Sequence, residues 1–179
     1  MISPVSHKIS NPAIKAFALS LYFCDIDIKN FGKIKIAFDE NYLYQLSLPS
    51  ELLKYKPFFD KLIHNTNHKI AITIKECLKN YFAKKPYNFN NIPINFVGTD
   101  FQKQVFNALC KISSGATTSY SKFANTYFTN NQLRAVSGQI GKNPLTIIVP
   151  CHRVIAKNNT LYNYAGGLDI KQYLLNLEH

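Results

Sequence analysis

The sequence predicts an α+β protein: a small N-terminal α/β domain with an antiparallel sheet over residues 1–93, then a mainly helical C-terminal domain over residues 94–179. Three observations predict it. Apolar and polar residues alternate between Lys33 and Leu48, the period of strands with one buried face. Between Ile70 and Phe82 the apolar spacing switches to that of a helix, and beyond Pro93 helix-period stripes take over. With 179 residues, 46% hydrophobic and 17% charged, the chain can bury a core without disulfides or a metal, and its composition is not that of a disordered or fibrous protein.

Taken in order, the apolar run Ala16 to Phe23 reads as a strand or other buried element. It follows Lys15 as a secretory leader would, but the next residues, Cys24-Asp25-Ile26-Asp27, offer no small-residue cleavage site. Lys33 to Phe38, the polar Asp39-Glu40-Asn41 and Tyr42 to Leu48 form a hairpin closed by Pro49. Apolar residues at 70, 74, 77, 78, 81 and 82 make the stripe of a helix that Lys84-Lys85-Pro86 ends. The Asn-rich stretch Tyr87 to Pro93 is the domain boundary, and Ile94-Asn95-Phe96-Val97 adds a further strand. Thr99-Asp100 caps a helix whose positions 101, 105, 106, 109, 110 and 112 share an apolar face. Ser119 caps a short helix through Phe123, Ala124 and Tyr127. Thr129-Asn130-Asn131 starts another, through Leu133, Val136 and Ile140 to a stop at Gly141. Two short helices joined by a tight turn have the outline of a helix-turn-helix, although plain core packing produces the same pattern.

Lys and Arg number 21 against 10 Asp and Glu, a formal net charge of +11, which suits a polyanionic partner such as nucleic acid. Cys24, Cys77, Cys110 and Cys151 have irregular spacing and no CxxC, which points to reduced thiols and a cytoplasmic protein. Cys77 and Cys110 lie on apolar helical faces and read as core residues. Cys24 with His64 and His68 lacks a fourth ligand, so no metal is expected. No apolar run approaches the roughly 20 residues that span a bilayer, so no membrane partner is expected.

The run Ile147 to Ile155 stands apart, because Pro150-Cys151-His152-Arg153 interrupts an apolar stretch with a thiol, an imidazole and a guanidinium. A thiol with an ordinary pKa of roughly 8.5 needs a base or cation nearby to react at neutral pH, and His152 is its neighbour in sequence. The acids that follow and could orient the imidazole are Asp169 and Glu178. On chemistry alone, a buried inert cysteine beside a surface histidine remains open.

Pro150-Cys151-His152-Arg153-Val154 resembles the active-site signature of the O6-alkylguanine-DNA alkyltransferase family of direct-reversal DNA repair proteins. Ser119-Tyr120, Arg134-Ala135-Val136, Asn143-Pro144, Asn163 to Leu168 and Leu174 to Glu178 continue the resemblance in order and spacing from about Gly98 to Glu178. It implies a supporting N-terminal domain, a winged helix-turn-helix-like DNA-binding motif, and a monomer that needs no cofactor. The partner it implies is double-stranded DNA containing O6-alkylguanine. The activity it implies is a single stoichiometric transfer of a methyl or other alkyl group from O6-alkylguanine, and O4-alkylthymine, to Cys151, after which the protein is spent. His152, acting through a water, would be the base, and Glu178 would orient it. Glu178 sits in a terminal turn that Leu174, Leu175 and Leu177 must anchor, and its removal is expected to leave the fold nearly intact. Asn143 would hold the turn carrying Cys151, and Tyr120 would donate a proton to the leaving guanine at N3. Arg134 would fill the gap left by the flipped nucleotide, while Ala135 and Gly138 let the helix approach DNA closely. Val154, Tyr164, Ala165 and Gly166 would read the edges of the base. Family members often carry serine where Ala165 stands, and Lys142, Lys122 and Lys103 are weaker candidates for phosphate contacts.

Two rival readings use the same residues. An alkylated-base binding protein that flips bases without transfer would not need the intact Cys151. A Cys-His thiol hydrolase would need an oxyanion hole that no motif supplies, and it leaves Arg134 and Tyr120 unexplained.

Overall fold

Alternation in the first half becomes a four-stranded sheet. The computed structural model describes residues 21–49, 62–129, 132–158 and 160–179. Strands β1 (Leu21–Ile28), β2 (Gly32–Phe38), β3 (Leu43–Ser47) and β4 (Leu62–His64) lie in the order β3-β2-β1-β4. β1 and β2 pair antiparallel with Cys24 opposite Ile36 and Ile26 opposite Ile34, so one face collects the aliphatic side chains. Asp39 closes the β2–β3 turn, its carboxylate accepting from the Asn41 and Tyr42 N–H groups at 2.7 Å each. β1 takes up the end of the apolar run that begins at Ala16; residues 16–20 lie outside the described residues. β4 runs parallel to β1, which makes the sheet mixed where an antiparallel one was expected. A period-2 pattern reports a buried face but not strand direction, and a strand of 3 residues hardly carries a pattern.

Helix α1 (Lys69–Phe82) buries Ile70, Ala71, Ile74, Leu78 and Tyr81 against the sheet, and His68 caps it by accepting from the Ile70 N–H. The strand expected over Ile94–Val97 reduces to one bridge between Ile94 and Leu43. Pro93 has no N–H to donate, and two hydrogen bonds, Leu43 N–H to Pro93 O and Asn95 N–H to Leu43 O, are what remains of a ladder. Helix α2 (Asp100–Leu109) starts at a full capping box between Thr99 and Gln102 and buries Val105, Phe106, Ala108 and Leu109. Cys110 follows its last turn and is exposed, and Cys77 is half-buried, so neither is the core residue its helical stripe suggested.

β5 (Thr118–Ser119) pairs parallel with β6 (Val154–Ile155). Helix α3 (Tyr120–Tyr127), capped by Ser119, packs on α4 (Leu133–Ile140), which also rests on α2. The predicted start of α4 at Thr129-Asn130-Asn131 falls partly on Asn130 and Asn131, which lie outside the described residues. A single 3-10 turn (Cys151–Arg153) precedes β6, and α5 (Leu168–Glu178) ends the chain. One core runs through both halves, from Ile26, Phe38 and Leu46 to Phe106, Val149 and Leu174. The outer edge of β3 is taken up by later chain: Leu46 N–H donates to Pro144 O at 2.9 Å, and Thr146 Oγ1 donates to Leu46 O at 2.8 Å. Among the described residues no helix is long and apolar enough to cross a membrane.

Candidate active site

Residues Asn143 to Val149 are buried, and they deliver Cys151 to the head of the 3-10 turn with its side chain almost wholly enclosed. Asn143 organises this segment. Its Nδ2 donates to Val149 O at 2.7 Å and to Cys151 Sγ at 3.0 Å, and its Oδ1 accepts from the Leu145 N–H at 3.0 Å. Between them Ile147 adopts φ 72°, a left-handed conformation that a β-branched residue avoids at a cost of about 1–3 kcal/mol. The surrounding hydrogen bonds hold that strain directly ahead of the thiol.

On the other side of the turn His152 is fully buried, and its Nε2 lies 2.8 Å from Glu178 Oε1. Glu178 is clasped by more than the histidine. Arg153 donates to both carboxylate oxygens, Nε to Oε2 at 2.8 Å and Nη2 to Oε1 at 2.9 Å, and Tyr81 Oη donates to Oε1 at 2.8 Å. The Gly115 N–H reaches Oε2 at 3.4 Å, and Arg153 Nη1 donates to Ile112 O. Burial pushes the Glu178 carboxyl up, but the hydrogen bonds from His152 and Arg153 outweigh it and hold the group well below the usual carboxylate range. Burial lowers the His152 imidazole, and its bond to Glu178 offsets only part of that. An ionised carboxylate can only accept, so Nε2 carries the imidazole proton; Nδ1 is buried with no hydrogen-bond partner among the described residues and is the basic nitrogen. Asp169 is exposed in the first turn of α5 and takes no part in this cluster.

Lys171 is one residue that sequence reasoning missed, with Tyr81 and the pairing of Arg153 to Glu178. Its side chain is 0% exposed, its Nζ donates to Val154 O at 2.7 Å and to Tyr162 O at 2.9 Å, and it sits 5.7 Å over the Tyr120 ring. Burial brings its pKa down to about 8, opposed by the charge of the Cys151 sulfur. A signal existed: Lys171, Leu174, Leu175 and Glu178 follow the i, i+3, i+4, i+7 spacing of a buried stripe on α5. Tyr120 Oη donates to the same Tyr162 carbonyl at 3.3 Å, and burial, then the Cys151 charge, push the phenol up to about 12.

A small cavity of about 10 Å³ at Cys151 is lined by Asn143, Thr146, Tyr164 and Ala165 among others, and a larger one of about 580 Å³ beside Tyr120 is lined by Ser137, Gly138 and Tyr162. Val154 and Gly166 line neither. Val154 presents its carbonyl to Lys171, and Gly166 packs against Leu48, where a Cβ would collide with Leu48 Cδ1. On α4, Arg134, Ala135 and Gly138 are exposed on one face, with open space where a Gly138 Cβ would stand.

A buried thiol backed by an imidazole–carboxylate pair, beside two short helices with an exposed arginine, is an arrangement in which a cysteine can serve as a nucleophile on a helix-turn-helix frame. The family described as 6-O-methylguanine DNA methyltransferase, DNA binding domain, matches residues 100–179. The inducible Methylated-DNA--protein-cysteine methyltransferase of Bacillus subtilis is 49% identical over 98 residues, 55% of this chain and 54% of its own length. The constitutive enzyme of the same organism is 37% identical over 152 residues, 82% of this chain and 89% of its own. The crystal structure of Mycobacterium tuberculosis OGT in complex with DNA superposes with a TM-score of 0.78 at 31% identity, covering 88% of this chain and 92% of that one. The chain belongs to the Methylated-DNA--protein-cysteine methyltransferase family.

Proposed function

We propose that the protein repairs DNA by direct reversal, transferring one alkyl group from O6-alkylguanine, and from O4-alkylthymine, to Cys151. The observation that carries this is the enclosed thiol held by Asn143 at 3.0 Å beside a histidine whose free ring nitrogen is the basic one. In the step itself the Cys151 sulfur attacks the alkyl carbon, an S–C bond forms, and the C–O6 bond breaks with its electron pair leaving on guanine. The thiol proton passes to His152 Nδ1 through a bridging water, and Glu178 stabilises the imidazolium that results. Tyr120 gives its phenolic proton to guanine N3 and is reprotonated from solvent. Lys171 keeps Tyr162 O occupied when Tyr120 turns to the base, and its ammonium favours the thiolate. The thioether does not hydrolyse, so each molecule acts once.

The exposed face of α4 carries the DNA contact, with Arg134 entering the stack in place of the flipped nucleotide and Ala135 and Gly138 allowing close approach. Tyr164 and Ala165 border the base, and the excess of basic residues draws the protein to the duplex. The protein works as a cytoplasmic monomer, where its thiols stay reduced, with residues 1–93 supporting the catalytic part. The test is a duplex carrying labelled O6-methylguanine. Label moves to protein, wild type gains about 14 Da on Cys151 and then stops, and Cys151→Ser transfers nothing while binding DNA within a few-fold of wild type. Label left on DNA means a binding protein, label released to water means a hydrolase, and a mass gain at Cys24, Cys77 or Cys110 refutes the mechanism.

A further inference from the structure

We propose that Tyr81, contributed by the N-terminal half, is a positioning residue that restrains the proton relay: its hydroxyl shares the Glu178 oxygen on which His152 rests and weakens the support which that carboxylate gives the imidazolium. The inference rests on the alkyl-transfer reading above. Glu178 Oε1 is oversubscribed. It accepts from His152 Nε2 at 2.8 Å, Arg153 Nη2 at 2.9 Å and Tyr81 Oη at 2.8 Å, three donors on an oxygen with two lone pairs. Oε2 has only Arg153 Nε at 2.8 Å and the more distant Gly115 N–H at 3.4 Å. What Oε1 gives to one donor it withholds from the others. The carboxylate does not need Tyr81 to stay in place, because Arg153 grips both of its oxygens and is itself anchored on Ile112 O.

The hydroxyl is aimed by the rings around it and kept protonated. The Tyr81 ring is buried, edge-on to Phe82 and Tyr87 with centroids at 5.2 and 5.1 Å, and tilted against Phe89 at 5.7 Å. Tyr87 is tied in turn, its Oη donating to Ser114 Oγ at 3.1 Å. Tyr87 and Phe89 belong to the stretch between the two halves, so the segment that joins them also points the hydroxyl at Glu178. Burial first, then the Glu178 charge, push the phenol above its ordinary value; Arg153 opposes this and Tyr87 adds to it, so Tyr81 remains a donor at neutral pH. Facing His152 are Glu178, which favours its protonated form, and Arg153 and Lys171, which disfavour it. Tyr81 is thus a neutral group that tempers the one favourable charge without adding a charge of its own. A protein that acts once gains from such restraint, because a thiolate formed before the base arrives is open to any small oxidant or electrophile that enters.

The experiment follows single-turnover transfer from saturating O6-methylguanine duplex against pH. It compares wild type, Tyr81→Phe, Glu178→Gln, and a protein with 3-fluorotyrosine, a stronger donor, in place of Tyr81. Tyr81→Phe keeps the ring packing and removes the donor. It is expected to raise the rate at neutral pH about threefold and to bring half-maximal rate down by about half a pH unit, the effect of one charge-assisted hydrogen bond partly made up by its neighbours. The fluorotyrosine protein is expected to move both the other way, toward Glu178→Gln, and half-saturation by duplex stays within about twofold throughout. Hydrogen peroxide reads the same thiolate without DNA: the sulfur attacks one oxygen, the O–O bond breaks, hydroxide leaves and is protonated, and Cys151 gains about 16 Da as a sulfenic acid. That gain is expected to be about threefold faster in Tyr81→Phe than in wild type. A lowered melting temperature with both rates unmoved makes the hydroxyl structural only and overturns the proposal. A shift of Tyr81→Phe in the same direction as Glu178→Gln makes Tyr81 a prop of the carboxylate and overturns it as well. If wild type transfers nothing from O6-methylguanine while the peroxide rates still follow the donor series, the repair reading falls and the assignment to Tyr81 stands.

Discussion

The two flanks of Cys151 are built in opposite ways. Behind the thiol, His152, Arg153, Glu178 and Tyr81 are buried and joined by hydrogen bonds of 2.8–2.9 Å, with each charge met by its opposite. Ahead of it, Arg134, Ala135, Gly138 and Tyr162 are exposed, and the helix that carries three of them has no side-chain N-cap. On the function proposed above, the difference is that between a proton relay and a docking face. A relay must be in place before substrate arrives, so its partners lie within the protein and contribute to its stability. A docking face has its partners on another molecule, so its residues contribute little to the fold and much to the complex.

Glu178 offers the largest test of this contrast. Glu178→Ala leaves the Arg153 guanidinium buried and unpaired, which costs about 3–5 kcal/mol and lowers the melting temperature accordingly. Glu178→Gln, which keeps the shape and part of the hydrogen bonding, should lose less stability and shift the pH profile of the transfer rate upward, as His152 loses its orienting charge. A melting temperature unchanged in both would mean that the buried network is not a structural element, and the contrast would fail.

Arg134→Ala tests the other flank. Its unfolding free energy should stay within about 0.5 kcal/mol of wild type, because the side chain is exposed. Transfer from duplex DNA should fall by about a hundredfold, the cost of an unfilled gap in the stack, while reaction with free O6-methylguanine base stays within a few-fold. Equal losses on both substrates would place Arg134 with the structural residues instead.

The smallest effect is in acid. His152 and Glu178 both have folded values below their ordinary ones. A depressed value makes the folded state the poorer proton binder, so stability is lost as pH falls: below about 6.5 for the imidazole and, further down, below about 4.3 for the carboxylate. Denaturant unfolding followed from pH 8 to pH 2.5 should show this decline in wild type. Glu178→Gln should lose the part below about 4.3, whereas Arg134→Ala should keep the whole profile.

The same contrast governs what the sequence made legible. The hairpin, α1, α2 and the short helix pair follow from local periods and caps such as Thr99 with Gln102 and Ser119. Cys151, His152 and Glu178 were legible because the thiol and imidazole are adjacent and the acids that follow are few. The rest of the cluster was not. Tyr81 reads as one more apolar position on the α1 stripe, and nothing local says that its hydroxyl reaches a carboxylate 97 residues away. Arg153 sits inside the motif, yet its pairing with Glu178 is a tertiary fact, and Lys171 looks like a solvent-facing lysine until its place on the α5 stripe is counted. Because Glu178 is held by these partners, its removal is not the nearly neutral truncation that its place in the last turn suggests. The parallel β4 and the single bridge at Ile94 escaped for a related reason, since strand direction and pairing are decided by what lies across the sheet.

The edge of β3 closes the account of how the halves depend on each other. Its main-chain groups are matched not by a fifth strand but by Pro93, Asn95 and Pro144, all contributed by later chain. Produced alone, residues 1–93 would keep only the Pro93 contact at one end of that edge and leave the groups matched by Asn95, Pro144 and Thr146 as a template for other strands, and oligomers or insoluble aggregate would follow. The second half produced alone would lose Leu48, against which Gly166 packs, together with the Leu46 carbonyl that anchors Thr146. Cleaved within 87–93 after folding, the two pieces should instead stay bound as a nicked complex, held by a core that crosses the break.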